Sequence, residues 1–342
     1  MEKVYCPEWW RTTLEDVEDC LKLVKKGKVE KIAESAGKRP IYRIDYGVSN
    51  VKLGRANASS AFGAKDINHY ADKRGEDYNP TVFLCGCIHG GEFEGTNACL
   101  NLIKEIETGT DYKGDTHPEL MELIKKVHLI IVPISNPDGR SHVPYRSVLG
   151  MTYKTFRYYD QGTWLDGSLC EWPNCKAIHP IKDAVEYLGG YFNDDGVNMM
   201  HEDFFGKISN ETQAVFDICR YDAPDFSILL HGGTNTTNCM LVCDFANKES
   251  VENILTISQS FADACTAAGV RAICAKPAAN PHSFNLTSAM HHICGGDTVT
   301  YEANQGLVDA PGIICTAEEI YDSHMILFAE TCRGVLKRFN KI

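Results

Sequence analysis

The chain has 342 residues, of which 44% are hydrophobic and 23% charged, with a formal net charge of −12. A composition of this kind buries a sizeable core without staples, and the acidic balance leaves no basic stripe for nucleic acid or an anionic membrane. The fifteen cysteines are odd in number and fall at apolar positions such as Cys85, Cys87, Cys243 and Cys274, which fits reduced, buried thiols better than a disulfide framework.

The first residues, MEKVYCPEWW, are polar and carry no apolar signal segment. No apolar run approaches the ~20 residues that span a bilayer, so a soluble, cytoplasmic protein is expected. TTLEDVEDCLKLVKK predicts a helix, with a Thr13–Asp16 cap signal and lysines at its far end. PIYRIDYGV alternates like a strand, TVFLCGCI and VHLIIVPI are short buried runs, and the stretch 83–107 begins as an apolar run and ends as an amphipathic helix. An irregular stretch then runs from Gly139 to about Asn198, rich in Gly, Pro, Tyr and Trp; loops of that length are functional or disordered, and the aromatics argue for order. After it, NETQAVFDICRYD reads as helix, DFSILLHGG and NCMLVCDF as strands, VENILTISQSFADACTAAG as helix, DTVTYEAN as strand and AEEIYDSHMILFAETCRGVLKRF as a closing helix. With no repeat, linker or low-complexity tract, residues 1–342 read as one α/β domain: a mixed, mainly parallel twisted sheet with helices on both faces.

Reactive groups in open α/β sheets stand where strands end. The run 81–88 delivers His89, and the glycines behind it are expected to turn the chain so that Glu92 faces the same point. A histidine and a carboxylate so held can clasp one zinc ion. By itself His-x-x-Glu matches by chance, and a polar helix cap explains it better. DFSILLHGG, however, delivers His231 at the end of a second buried run, and DTVTYEANQG ends a third with Glu302. Two histidines and one carboxylate leave a zinc position open, the catalytic pattern, and a further carboxylate beside it can move a proton.

In these segments the sequence resembles the zinc carboxypeptidases over nearly its whole length. IHGGEFEG resembles their zinc motif, VPISNPDGR their Asn-Pro-Asp-Gly strand end, NETQAVFD their Glu-x-x-Ala helix, ILLHG their third-ligand strand and TVTYEANQG their general-base strand, in the same order. The resemblance implies one Zn²⁺ per chain held by His89, Glu92 and His231, with Glu302 as proton shuttle. It also implies an oxyanion-stabilising arginine, for which Arg157 in YKTFRYYDQG lies in a comparable place and Arg140 and Arg146 are rivals.

The departures concern the substrate. Where the family carries an Asn-Arg pair that grips a terminal carboxylate, GVNMMHED places Met200 and His201, and Asn198 replaces the aspartate that orients the first zinc histidine. His201 is expected to grip a carboxylate only when protonated, with Arg140 and Arg146 as alternative clamps. The family's substrate-contacting tyrosine has no counterpart in KPAANPHSFNLTSAMHH. CEWPNCKAIH, with Cys170, Cys175 and His179, reads as packed thiols rather than a metal clip, and His291-His292 as structural. The expected function is a zinc hydrolase cutting an amide bond in a peptide or N-acyl amino acid. CIHGGE also resembles succinylglutamate desuccinylase and aspartoacylase relatives, which makes a small-molecule deacylase the second reading. A silent binding protein on the same fold is the third, disfavoured by the intact ligands and Glu302.

Overall fold

Along TVFLCG the side chains alternate between two cores: Val82 and Leu84 pack into one, Phe83 and Cys85 into the other. A strand apolar on both faces must be covered on both. In the computed structural model, which describes residues 2–277 and 283–342, the main sheet has eight strands. They are β1 (Lys28–Glu34), β2 (Pro40–Tyr46), β3 (Thr81–Gly86), β4 (His128–Val132), β5 (Phe226–Gly232), β6 (Asn238–Val242), β7 (Ala272–Ile273) and β8 (Asp297–Ala303). Their order is β1-β2-β4-β3-β5-β8-β6-β7. The central strands β4, β3, β5 and β8 all run parallel, while β2 meets β4 and β6 meets β8 antiparallel.

Helices Glu94–Thr108, Lys248–Ala268 and Ala317–Arg338 cover one face with Leu100, Ile103, Phe261 and Phe328; helices Asn210–Asp222 and Leu286–Cys294 cover the other with Val215, Phe216 and Met290. The mixed, mainly parallel sheet with helices on both faces is therefore as expected. The first helix, Leu14–Leu21, carries the expected capping box between Thr13 and Asp16. It ends before Lys25 and Lys26, whose backbone N–H groups donate to the Glu107 carboxylate instead. Strand β1 went unpredicted because KVEKIAE is a charged edge strand with mostly exposed residues and no apolar alternation.

The 139–198 stretch is ordered. It contains the helix Tyr153–Gln161, a two-stranded ribbon and a small core of Cys170, Cys175, Ile181, Tyr191 and Phe192. Cys170 and Cys175 are packed thiols, as read, and all fifteen cysteines are unpaired. Among the described residues no helix is long and apolar enough to cross a membrane.

Candidate active site

Strand β3 stops at Gly86 because the next residue, Cys87, takes a φ of 53°, a left-handed conformation that a non-glycine residue adopts at a cost and chiefly at functional turns. The turn brings the Glu92 N–H within 3.0 Å of the His89 carbonyl. The two glycines work differently from expectation, since neither has a left-handed φ. A Cβ on Gly90 would lie 2.0 Å from the Gly139 carbonyl carbon, and one on Gly91 2.3 Å from Asp160 Oδ1. They are needed for close approach of the loop to its neighbours, not for the bend.

His231 ends β5 and lies in register with Glu302 on β8, so two adjacent parallel strands present both residues at one edge. The donor atoms of His89, Glu92 and His231 all fall within 4.8 Å of one another, and all three residues are buried. His89 Nδ1 stands 3.0 Å from Glu92 Oε1 without the alignment of a hydrogen bond. His231 Nδ1 is 2.8 Å from Glu92 Oε2.

The orientation of His89 is set from behind. Asn198 Oδ1 accepts the Met200 N–H at 3.0 Å, which identifies it as the amide oxygen, and it lies 3.2 Å from His89 Nε2. Nε2 therefore carries the proton and Nδ1 presents its lone pair to the cluster. Asn198 is held in turn by His179, whose Nε2 accepts its backbone N–H at 2.9 Å. Tyr191 stacks on His89 with ring centroids 3.5 Å apart and planes at 17°. Burial lowers the pKa of His89 below the usual range despite Glu92. Burial also opposes charge on His231, but its hydrogen bond to Glu92 outweighs that and raises it. Glu92 resists burial through the two histidines and stays ionised. Two imidazoles and a carboxylate converging with no donor among the described residues to saturate the Nδ1 lone pair of His89 fit a divalent cation such as zinc.

These residues line a cavity of about 580 Å³ together with Arg157, Lys176, Tyr191, His201 and Glu302. Glu302 sits in a strand paired on both sides, but its carboxylate makes no hydrogen bond or ion pair among the described residues. Burial, aided by Glu92 and opposed by His231 and Lys176, lifts its pKa to about 7. The Arg157 guanidinium lies 4.7 Å from the Tyr153 ring centroid, with Nε buried and lacking a partner. Nearby Asp160 is a buried carboxyl whose proton is retained through burial and the charge of Glu92, against the pull of Arg157.

Two of the proposed clamps lie elsewhere. Arg140 is 3% exposed and donates to the carbonyls of Thr12, Val143 and Tyr145 at 2.8, 2.7 and 2.7 Å, with its guanidinium over Phe93. Sequence cannot distinguish such a carbonyl cage from a substrate grip. Arg146 pairs with Asp16 at 2.7 Å on the surface. Neither arginine lines the cavity. Arg140→Met, which strands three carbonyls, is expected to cost about 3–5 kcal/mol, and Arg146→Met less than about 1 kcal/mol; urea unfolding of both variants checks the contrast.

His201 does line the cavity, but the expected pH-dependent grip is not available. Burial and the Lys176 charge push its pKa down to about 3, leaving the ring neutral near neutrality. His291 is structural, as read: its Nδ1–H donates to the Gly296 carbonyl at 2.8 Å. Of the stretch read as lacking a tyrosine, residues 278–282 lie outside the described residues. Sequence reading missed Lys176, Tyr191 and the supporting role of His179. All three come from the irregular stretch, where no periodic signal marks which side chain turns inward.

A mainly parallel open sheet that gathers a His–Glu–His set at the carboxyl ends of its strands defines a candidate mononuclear metallohydrolase centre. The sequence profile of the zinc carboxypeptidases matches residues 22–309. The chain belongs to the zinc carboxypeptidase family. In structure it is similar to a metallo-carboxypeptidase from Burkholderia cenocepacia (TM-score 0.61, 14% identity, covering 96% of this chain and 70% of that one). It is also similar to carboxypeptidase A from Helicoverpa armigera (TM-score 0.56, 13% identity, 96% and 75% covered). A third similar structure is a metallo-carboxypeptidase from Pseudomonas aeruginosa in complex with (2-guanidinoethylmercapto)succinic acid (TM-score 0.54, 13% identity, 94% and 67% covered). No curated protein matches the chain.

Proposed function

We propose that the protein is a zinc-dependent hydrolase that cleaves an amide bond, a metallocarboxypeptidase-like peptidase with atypical recognition of the substrate carboxylate. The observation that carries this reading is the half-buried Glu302 carboxylate, without a hydrogen bond or ion pair among the described residues, in the same cavity as the converging His89, Glu92 and His231. His89, Glu92 and His231 would hold zinc, which would supply Lewis acidity and lower the pKa of a bound water toward neutrality. Glu302 takes the proton of the attacking water and passes it to the departing nitrogen, a task suited to a carboxyl poised near neutrality. Arg157, with unspent donors on the cavity wall, faces the charge that develops on the attacked carbonyl oxygen.

Met200 and His201, both uncharged, occupy the positions where the family grips a peptide carboxylate. That substitution favours, as a second reading, deacylation of small N-acyl amino acids.

The test is hydrolysis of a panel of free-acid peptides and N-acyl amino acids by the zinc-loaded protein. Metal-dependent release of an amine from either class is expected. A protein that holds zinc yet turns over neither class would be a binding protein instead. For Arg157→Met, kcat is expected to fall about 10²–10³-fold, with KM changed only a few-fold. A raised KM at unchanged kcat would instead make Arg157 a substrate anchor.

A further inference from the structure

The irregular stretch places a second cation in the cavity. Lys176 closes a short helical turn, Asn174–Lys176, whose preceding residue Cys175 is fully buried in the small core beside Cys170 and Ile181. That anchor fixes which way the Lys176 side chain leaves the loop. Its ammonium lies 5.2 Å from the Trp172 ring centroid, an arrangement that holds a cation without neutralising it. Both residues line the cavity that contains His89, Glu92 and His231.

A lysine among carboxylates is ordinarily their counter-ion. Here the cavity wall carries Glu92, Glu302 and Asp244, yet the Lys176 ammonium makes no ion pair or hydrogen bond among the described residues, its contact being with the Trp172 ring. Burial lowers its pKa, and the attractions of Cys175, Glu92 and Glu302 do not offset that. A divalent cation on Glu92 would weaken those attractions further. The ammonium is thus partly desolvated, preorganised and undercompensated, which describes a receptor for an anion. Its location is also informative. Among charges, that of Lys176 bears most on His201, so it stands near the corner where Met200 and His201 offer no charge.

We propose that Lys176 is the specificity-determining residue of this site, receiving a carboxylate of the substrate, so that the enzyme acts on peptides or N-acyl amino acids bearing a free acid group. The proposal rests on the hydrolase reading for the identity of the scissile bond, but not for the recognition itself. Lys176 supplies a point charge rather than the planar fork of an arginine. It therefore selects for charge with looser demands on orientation, and Trp172 provides an apolar wall beside the bound group.

The test is calorimetric titration with succinate and with succinamate, in which one carboxylate is replaced by an amide, on zinc-loaded and chelator-treated protein. The wild type is expected to bind succinate about tenfold or more tightly than succinamate. Lys176→Met should close that gap, and Lys176→Arg should keep most of it. Zinc content should be the same in all three proteins. A gap that persists in Lys176→Met would assign the recognition to another cation, and no gap in the wild type would remove it altogether; either result overturns the proposal. An intact gap that depends on Lys176, in a protein without turnover on any amide, would refute the hydrolase reading alone.

Discussion

His231→Ala is expected to strip the protein of metal while leaving its fold in place. The wild type should carry about one zinc per chain, because the site offers one three-donor set with an open position. Zinc sites of four protein donors are worth roughly 10–16 kcal/mol, so removing one donor should weaken binding by about a hundred- to a thousandfold. The fold should tolerate the change because the backbone hydrogen bonds of β5 to β3 and β8 are unaffected, and among the described residues the side chain of His231 hydrogen-bonds only to Glu92. Metal content after dialysis, measured by atomic emission, reads the first effect. Thermal unfolding with and without added zinc reads the second. The wild type should gain stability from zinc in proportion to the logarithm of its concentration over Kd, and the variant should not. Full zinc content in His231→Ala would refute the ligand assignment.

For Glu302→Gln the loss is in chemistry and the gain in stability. The amide keeps the shape but cannot take a proton, so turnover should fall about 10²–10⁴-fold with zinc retained. The metal-free protein should show the opposite sign in stability. The pKa of Glu302 is raised to about 7 by burial, above an unfolded value of about 4.3. Its protonated form therefore suits the native state below the unfolded value, and that contribution is lost as pH rises through about 7. Allowing for residual solvent access, Glu302→Gln should be more stable than the wild type by about 1–3 kcal/mol above that pH, and equal to it below about pH 4. Urea unfolding of chelator-treated proteins at several pH values measures the difference. A variant that is less stable at alkaline pH would show that the Glu302 carboxylate is satisfied rather than penalised in the native state.

Much of this centre was legible in the chain itself. TVFLCG, DFSILLHG and DTVTYEA are short runs of mostly apolar residues that must be buried on both faces, which requires helices on both sides of a parallel core. Once such strands lie side by side, residues at their carboxyl ends meet at one edge, so His89, His231 and Glu302 converge as a consequence of strand burial. The resemblance to zinc carboxypeptidases sorted those residues into ligands and base. Asn198 was legible in the same way, as the replacement of an aspartate at a fixed offset, and the structure places its oxygen on His89.

The polar side chains of the irregular stretch were decided by tertiary structure. Arg140 follows Asn-Pro-Asp-Gly, close in sequence to the predicted site, yet its donors are consumed by carbonyls from the Thr12 region and from Val143 and Tyr145. Lys176 is far from every motif, yet it reaches the cavity because Cys175 beside it is pinned in a separate small core. Gly90 and Gly91 read as a hinge, but the need for glycine comes from Gly139 and Asp160 packing against them. Hydrophobic periodicity reports whether a segment is buried, because burial is a property of the local pattern. Which charged side chain enters a cavity depends on contacts between residues distant in the chain, and in an aperiodic loop those contacts leave no local trace in the sequence.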